Sequence, residues 1–198
     1  MTGLQHDPHH RRRGLALGLL LLLGLGACII RPESTEAARR DFDRAALGDV
    51  ILRAVPPGAN PSQPSFDDGV KLAGWRTEPE RPRAGDRVTV EFYWEVLEEP
   101  QDDWRVFVHL EPIAVEGGRI NGDHDPAGGR YPTRVWRTGE VVADRWAFTI
   151  PGYLQTSGIE IWTGMYQGGT RQGLVPRSGV RNDGQNRAMI GVIPLAAE

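Results

Sequence analysis

A two-sheet antiparallel β-sandwich is the fold class this sequence predicts, and three observations carry it. Apolar residues alternate with polar ones at period two through several separate runs. Clusters of Gly, Pro, Asn and Asp divide those runs. Beyond one N-terminal segment, no stretch sustains a 3.6-residue period. Period two puts successive side chains on opposite faces, so these runs read as half-buried strands. Many short strands with frequent turns read as an all-β fold, immunoglobulin-like or jelly-roll-like in architecture.

Residues 1–27 read as an export signal. Arg11, Arg12 and Arg13 precede an uncharged, Leu-rich run from Gly14 to Gly24, and small residues follow at a cleavage site. That site, Leu25-Gly26-Ala27-Cys28, resembles the lipobox of bacterial lipoproteins. The resemblance implies cleavage before Cys28 and a diacylglycerol on its sulfur, whose two acyl chains anchor firmly in a bilayer where a single chain binds only marginally. Ile29 points to the outer membrane, since an Asp there would suggest retention at the inner membrane. Two other readings stay open. One is a chance Cys after a plain signal peptide. The other is an uncleaved anchor, because the uncharged run Gly14 to Ile30 sits at the short limit for a spanning helix, about 17–25 residues. Cys28 is the single Cys, so no disulfide forms within one chain although export would permit one.

Removing residues 1–27 takes away three Arg and one Asp, which leaves the remainder more acidic than the full chain's −3. A nucleic-acid binder would usually show a basic patch, so no nucleic-acid partner is expected. Lys71 is the sole Lys, which reflects genome composition more than function.

Residues 28–65 read as a tether holding one short helix. Glu33 to Leu47 is rich in Ala, Arg and Glu, with Ser34 or Thr35 as a cap. The stretch "VPPGANPSQPS", Val55 to Ser65, carries four Pro, which remove donors and fix φ. It reads as a spacer between the bilayer and the domain.

Residues 66–198 read as the sandwich. Val88, Val90, Phe92, Trp94 and Val96 alternate with Arg87, Thr89, Glu91, Tyr93 and Glu95. Trp104, Val106, Val108 and Leu110 form a second set, and Trp146, Phe148 and Ile150 a third. Ile159 to Tyr166, Leu174 to Val175 and Ala188 to Ile193 complete the strands. Gly168-Gly169 between two runs predicts a tight hairpin.

The stretches "FDDGVKLAGW", "AGDRVTVEFYW", "WRVFVHLEP", "INGDHDPAGGRYPTRVWRTGEVVADRWAFTIP" and "IEIWTGMYQGGTRQ" resemble a β-sandwich module of bacterial envelope proteins. The resemblance covers about Phe66 to Ile193. It implies a sandwich at the cell envelope, alone on a lipoprotein or appended to a membrane protein, and it assigns no activity.

The candidate sites centre on the loop "INGDHDPAGGRYPTRVW", Ile120 to Trp136. As an EF-hand it fails, because Pro126 and Pro132 stand where the turn Gly and the bidentate Glu are needed. Asp123 and Asp125 still leave another calcium geometry open. His109, His124, Asp125 and Asp144 would suit a transition metal if the loop folds back over the strand holding His109. The alternative is a hydrogen-bonded loop built on Asx turns, Gly and Pro. Asp144 shares parity with Trp146, Phe148 and Ile150, so it is expected in the core, paired or hydrogen-bonded. There it acts as a structural clamp on the Thr133 hydroxyl, loop amides or an Arg.

Six Trp offer faces for sugar stacking or simply fill a core. His124, Tyr131, Trp136, Trp162 and Tyr166 are the candidate ligand-binding residues. No G-x-S-x-G, H-E-x-x-H or phosphate loop occurs. The first expectation is a lipid-anchored, non-enzymatic interaction or ligand-binding module that needs no cofactor. Its partners are the bilayer and a glycan or envelope protein. A carbohydrate- or peptidoglycan-binding module and an envelope hydrolase are the alternatives.

Overall fold

The computed structural model describes residues 34–175 and 180–196. They belong to one contact unit, Glu33–Glu198. The predicted signal segment, Cys28 and Ile29 lie outside the described residues. Among the described residues, no helix is long and apolar enough to cross a membrane.

The chain opens with helix α1, Thr35–Asp41, where the Ser34 hydroxyl accepts from the Ala37 amide at 3.2 Å. The helix is shorter than its composition predicts. Asp43 accepts from the Ala45 amide in a local turn, a bond that competes with helix. Phe42 turns back onto Tyr131, with ring centroids 5.5 Å apart.

Short strands β1 (Ile51–Leu52), β2 (Asn60–Pro61) and β3 (Ser65–Phe66) lead into β4 (Val70–Glu78) and β5 (Arg87–Val96). Then come β6 (Arg105–Pro112), β7 (Ile120–Asn121), β8 (Val141–Thr149) and β9 (Gly158–Gln167). The chain finishes with β10 (Thr170–Arg171), β11 (Leu174–Val175), β12 (Arg181–Asn182) and β13 (Ala188–Pro194). Among the described residues all strand pairings are antiparallel. Among the described residues one sheet runs β1-β8-β5-β4-β3-β11, with β2 also on β4. The other runs β12-β13-β9-β6-β7, with β10 also on β9. The fold is therefore an all-β two-sheet antiparallel sandwich.

Period two explains the core. Val88, Val90, Phe92, Trp94 and Val96 of β5 are all buried, facing Val106, Val108 and Leu110 of β6 and Ile159, Ile161 and Met165 of β9 across the interface. Thr170 pairs with Gln167 across Gly168-Gly169, and Gly168 takes φ 55° in a two-residue hairpin.

The tether reading needs correction over the described part of residues 28–65. Leu47 and Val50 are buried in the main core. Leu52, Val55 and Ala59 cover Tyr93, Val141 and Ala143 on the outer face of the first sheet. The Pro-rich stretch thus lies on the sheet instead of standing off from it. Its apolar residues find a sheet face whose own outward residues are apolar, and burying both removes area from water. Pro61 sits in a two-residue strand on one side of β4, an edge position that Pro tolerates.

Candidate functional site

The loop between β7 and β8 is built onto two strands at once. The Gly122 amide donates to the Val108 carbonyl, and His124 and Val106 exchange both backbone bonds at 2.9 Å. This extends the edge of β6 past β7. Position 122 needs glycine, because a Cβ there would lie 2.4 Å from the Trp146 ring. The chain then makes a 3₁₀ turn over Pro126–Gly129, where Ala127 takes φ 53°. That left-handed conformation costs a non-Gly residue energy unless its surroundings hold it.

Asp144 holds it. The side chain is fully buried, on the parity expected. Oδ1 accepts from the Ala127 amide at 2.9 Å. Oδ2 accepts from the Trp94 indole at 3.3 Å and bonds His124 Nε2 at 2.9 Å. His124 Nδ1 lies 2.6 Å from the Gly122 carbonyl. Each ring nitrogen faces an acceptor, an arrangement that favours the doubly protonated ring, which can donate on both sides. Burial alone would lower its pKa, but the Asp144 bond and charge, the Gly122 carbonyl and Asp123 outweigh that and raise it. The ring also stacks on Trp146 at 6.2 Å, and Trp146 on Phe148 at 5.1 Å.

The expected Asp144–Thr133 bond is not made. Thr133 accepts from the Trp104 amide and donates to the Asp102 carbonyl, each at 2.7 Å. It fastens the far end of the loop to the β5–β6 connection, so the loop has two separate clamps. Tyr131 and Trp136, expected as ligand-facing rings, are fully buried. The Trp136 indole donates to the Tyr131 carbonyl at 2.9 Å, and the Tyr131 hydroxyl donates to Glu140 at 2.6 Å. Arg44 lies over the Tyr131 ring at 5.8 Å and donates to the Val135 carbonyl. The N-terminal segment thus roofs this part of the loop.

The predicted metal ligands are dispersed. His109 lies on the outer face of the second sheet, where Arg187 Nη1 donates to its Nδ1 at 3.0 Å. Burial, with Arg119 and Arg187 nearby, lowers its pKa. His124 and Asp144 turn inward. Asp125 is exposed and pairs with Arg105 at 2.8 Å, and Asp123 is exposed beside Tyr166. Among the described residues, no group of three or more His, Cys, Asp or Glu is arranged to hold a metal. The metal reading is corrected accordingly, because strand parity sends the two His to opposite faces.

Trp162 is also covered. The residue is 5 % exposed, with Arg187 and Arg181 over the ring at 4.8 and 5.2 Å. The β12–β13 hairpin delivers both arginines. Tyr166 is half-buried, and its hydroxyl accepts from Arg105 at 2.8 Å.

The cleft missed by sequence reasoning lies on the outer face of the first sheet. Register places Arg76 of β4, Glu91 of β5 and Arg145 of β8 side by side. Glu91 Oε2 takes Arg76 at 2.6 Å and the Tyr93 hydroxyl at 2.8 Å, and Oε1 takes Arg145 at 2.6 Å. Burial opposes ionisation of Glu91, but the Tyr93 and Arg76 bonds and the Arg145 charge hold its pKa down. Burial and then Glu91 push the Tyr93 phenol up to about 12. The triad floors a cleft of about 420 Å³ walled by Pro57, Gly58 and Glu80. An adjoining groove of about 580 Å³ shares Gly58, Arg76 and Glu80 and continues toward Trp75 and Val192. The alternation in β5 put Glu91 and Tyr93 on one face, but only register brings the two arginines opposite.

The fold and cleft define a β-sandwich with a polar surface cavity. No protein-family model and no curated protein sequence matches the chain. Among solved structures, the chain is similar to a Pseudomonas fluorescens alkylpurine DNA glycosylase, AlkC, bound to DNA containing an abasic site analog. That similarity has 14% identity and a TM-score of 0.35, covering 54% of this chain and 29% of the glycosylase chain.

Proposed function

We propose that this chain is a lipid-anchored protein of the bacterial cell envelope whose sandwich acts as a non-enzymatic ligand-binding module. The cleft over Glu91 is the observation that carries the binding role. It is open and polar, with two half-exposed guanidinium groups on its floor. By contrast, His124, Asp144, Tyr131 and Trp136 spend their polar groups on the fold itself. The charged, Leu-rich leader and Leu25-Gly26-Ala27-Cys28 support the anchoring role, and they favour the outer membrane through Ile29. A glycan platform at Trp162 and Tyr131 is less supported, because both rings are covered.

Fractionation of cells making the full chain tests the anchoring. Wild type is expected with the membranes, and Cys28→Ser with the soluble fraction. Undiminished membrane retention of Cys28→Ser would contradict the proposal.

A further inference from the structure

We propose that the cleft over Glu91 binds a small zwitterion of dipeptide size, its carboxylate on Arg76 and Arg145 and its ammonium on Glu78 and Glu80. The inference rests on the reading of this cleft as the ligand-binding surface, and it names the ligand class.

The carboxylate half follows from the triad. One carboxylate, Glu91, is shared by two guanidinium groups, so the floor holds one positive charge in excess. Each guanidinium carries more N–H donors than Glu91 engages. The Glu91 side chain is 6 % exposed, while Arg76 and Arg145 are 46 % and 49 % exposed. The donors not turned to Glu91 therefore have access to the cavity. Their positions are fixed from below, because Glu91 binds both and Arg76 also lies over the Tyr93 ring at 5.9 Å. A pair of planar forks held in this way suits a planar carboxylate. Asp49 sits 3.9 Å from Arg145 but is already paired with Arg130 at 2.7 Å.

The ammonium half follows from the rim. Glu78 and Glu80 are exposed and line the same cleft. Glu78 is two residues beyond Arg76 on the same face of β4, which places it roughly 7 Å along the strand. Charged side chains anchored about that far apart suit the two ends of a dipeptide, whose charges lie farther apart than those of a single amino acid. The rim acids also discriminate. The cleft's three carboxylates outnumber its two guanidinium groups, so a polyanion or a multiply charged phosphate is repelled. The cavity of about 420 Å³ falls within the usual range for small ligands, about 300–1,000 Å³.

Isothermal titration of the detergent-solubilised full chain tests this with glycylglycine, glycylglycine amide, N-acetylglycylglycine, inorganic phosphate and chitotriose. Glycylglycine is expected to bind, with the amide and the N-acetyl compound at least tenfold weaker. Arg145→Gln and Glu78→Gln/Glu80→Gln are each expected to weaken glycylglycine at least tenfold with unchanged far-UV circular dichroism. Arg145→Gln leaves Glu91 paired with Arg76 and Tyr93, so its fold persists. Equal binding of glycylglycine and its two blocked forms overturns the zwitterion assignment, as does phosphate binding as tight as glycylglycine. Chitotriose binding that Arg145→Gln abolishes, with no glycylglycine binding, overturns the assignment while the cleft keeps its role. No binding of any probe overturns the assignment and removes the support for the cleft.

Discussion

Asp144→Ala removes the acceptor of three N–H groups and leaves His124 buried without its carboxylate partner. Breaking a buried pair by deleting one partner costs about 3–5 kcal/mol. In a domain of this size each kcal/mol moves Tm by about 2–4 °C, so the drop is roughly 6–20 °C. Asp144→Asn separates charge from geometry. Its amide oxygen still accepts from Ala127. Its NH2 donates to a neutral His124 Nε2, while Nδ1–H keeps the Gly122 carbonyl. Only the Trp94 indole loses its acceptor, at a cost of about 1–2 kcal/mol. The two variants also differ from wild type in pH dependence. The folded pKa of His124 is raised, so the stability it contributes is fully present below the unfolded value of about 6.5. That stability is lost as pH rises through the folded value. Asp144→Asn no longer needs the imidazolium, so its Tm is flatter above pH 6.5. Thermal melts followed by circular dichroism from pH 5.5 to 9 read this directly. His109, whose pKa is lowered, contributes equally to both proteins and cancels in the difference. Parallel Tm–pH profiles for wild type and Asp144→Asn would refute the reasoning, as would Asp144→Ala melting no lower than Asp144→Asn.

Other perturbations probe other contacts. Gly122→Ala drives a Cβ to 2.4 Å from the Trp146 ring and is expected to cost about 1–3 kcal/mol by overpacking, read as a lower urea midpoint at constant m. Thr133→Val removes both bonds to the β5–β6 connection and leaves the Trp104 amide short of an acceptor. A loss of about 1–3 kcal/mol is expected, with amide exchange at Trp104 accelerated. Glu91→Gln withdraws the charge that helps hold the Tyr93 phenol near 12, so the difference spectrum should show one tyrosine ionising at lower pH. An unchanged phenolate titration would count against the Glu91–Tyr93 bond.

The sandwich was legible because its signal is local. Alternation in Val88 to Val96 names a core face without any partner strand, and the same parity put Asp144 in the core. The bonds Asp144 makes were less legible. Its loop-amide partner depends on the left-handed turn at Ala127, and Thr133 points instead to a connection 31 residues away in sequence. That Tyr131, Trp136 and Trp162 are covered was not legible, because burial is a tertiary property. Tyr131 is roofed by Arg44, and Trp162 by Arg181 and Arg187, from segments distant in the chain. The Pro-rich stretch was misread for a related reason, since composition cannot show that Tyr93, Val141 and Ala143 leave an apolar patch for it to cover. The Arg76–Glu91–Arg145 row needs the register of three strands, which alternation leaves undetermined.

The central claim is a folded binding module held at a membrane through Cys28. Intact-mass spectrometry of the protein purified from bacterial membranes tests it most directly. The expected species is a chain that begins at Cys28 and is heavier than its sequence by a diacylglycerol. A chain that retains Met1, or one that begins near Cys28 without added lipid mass, would contradict it.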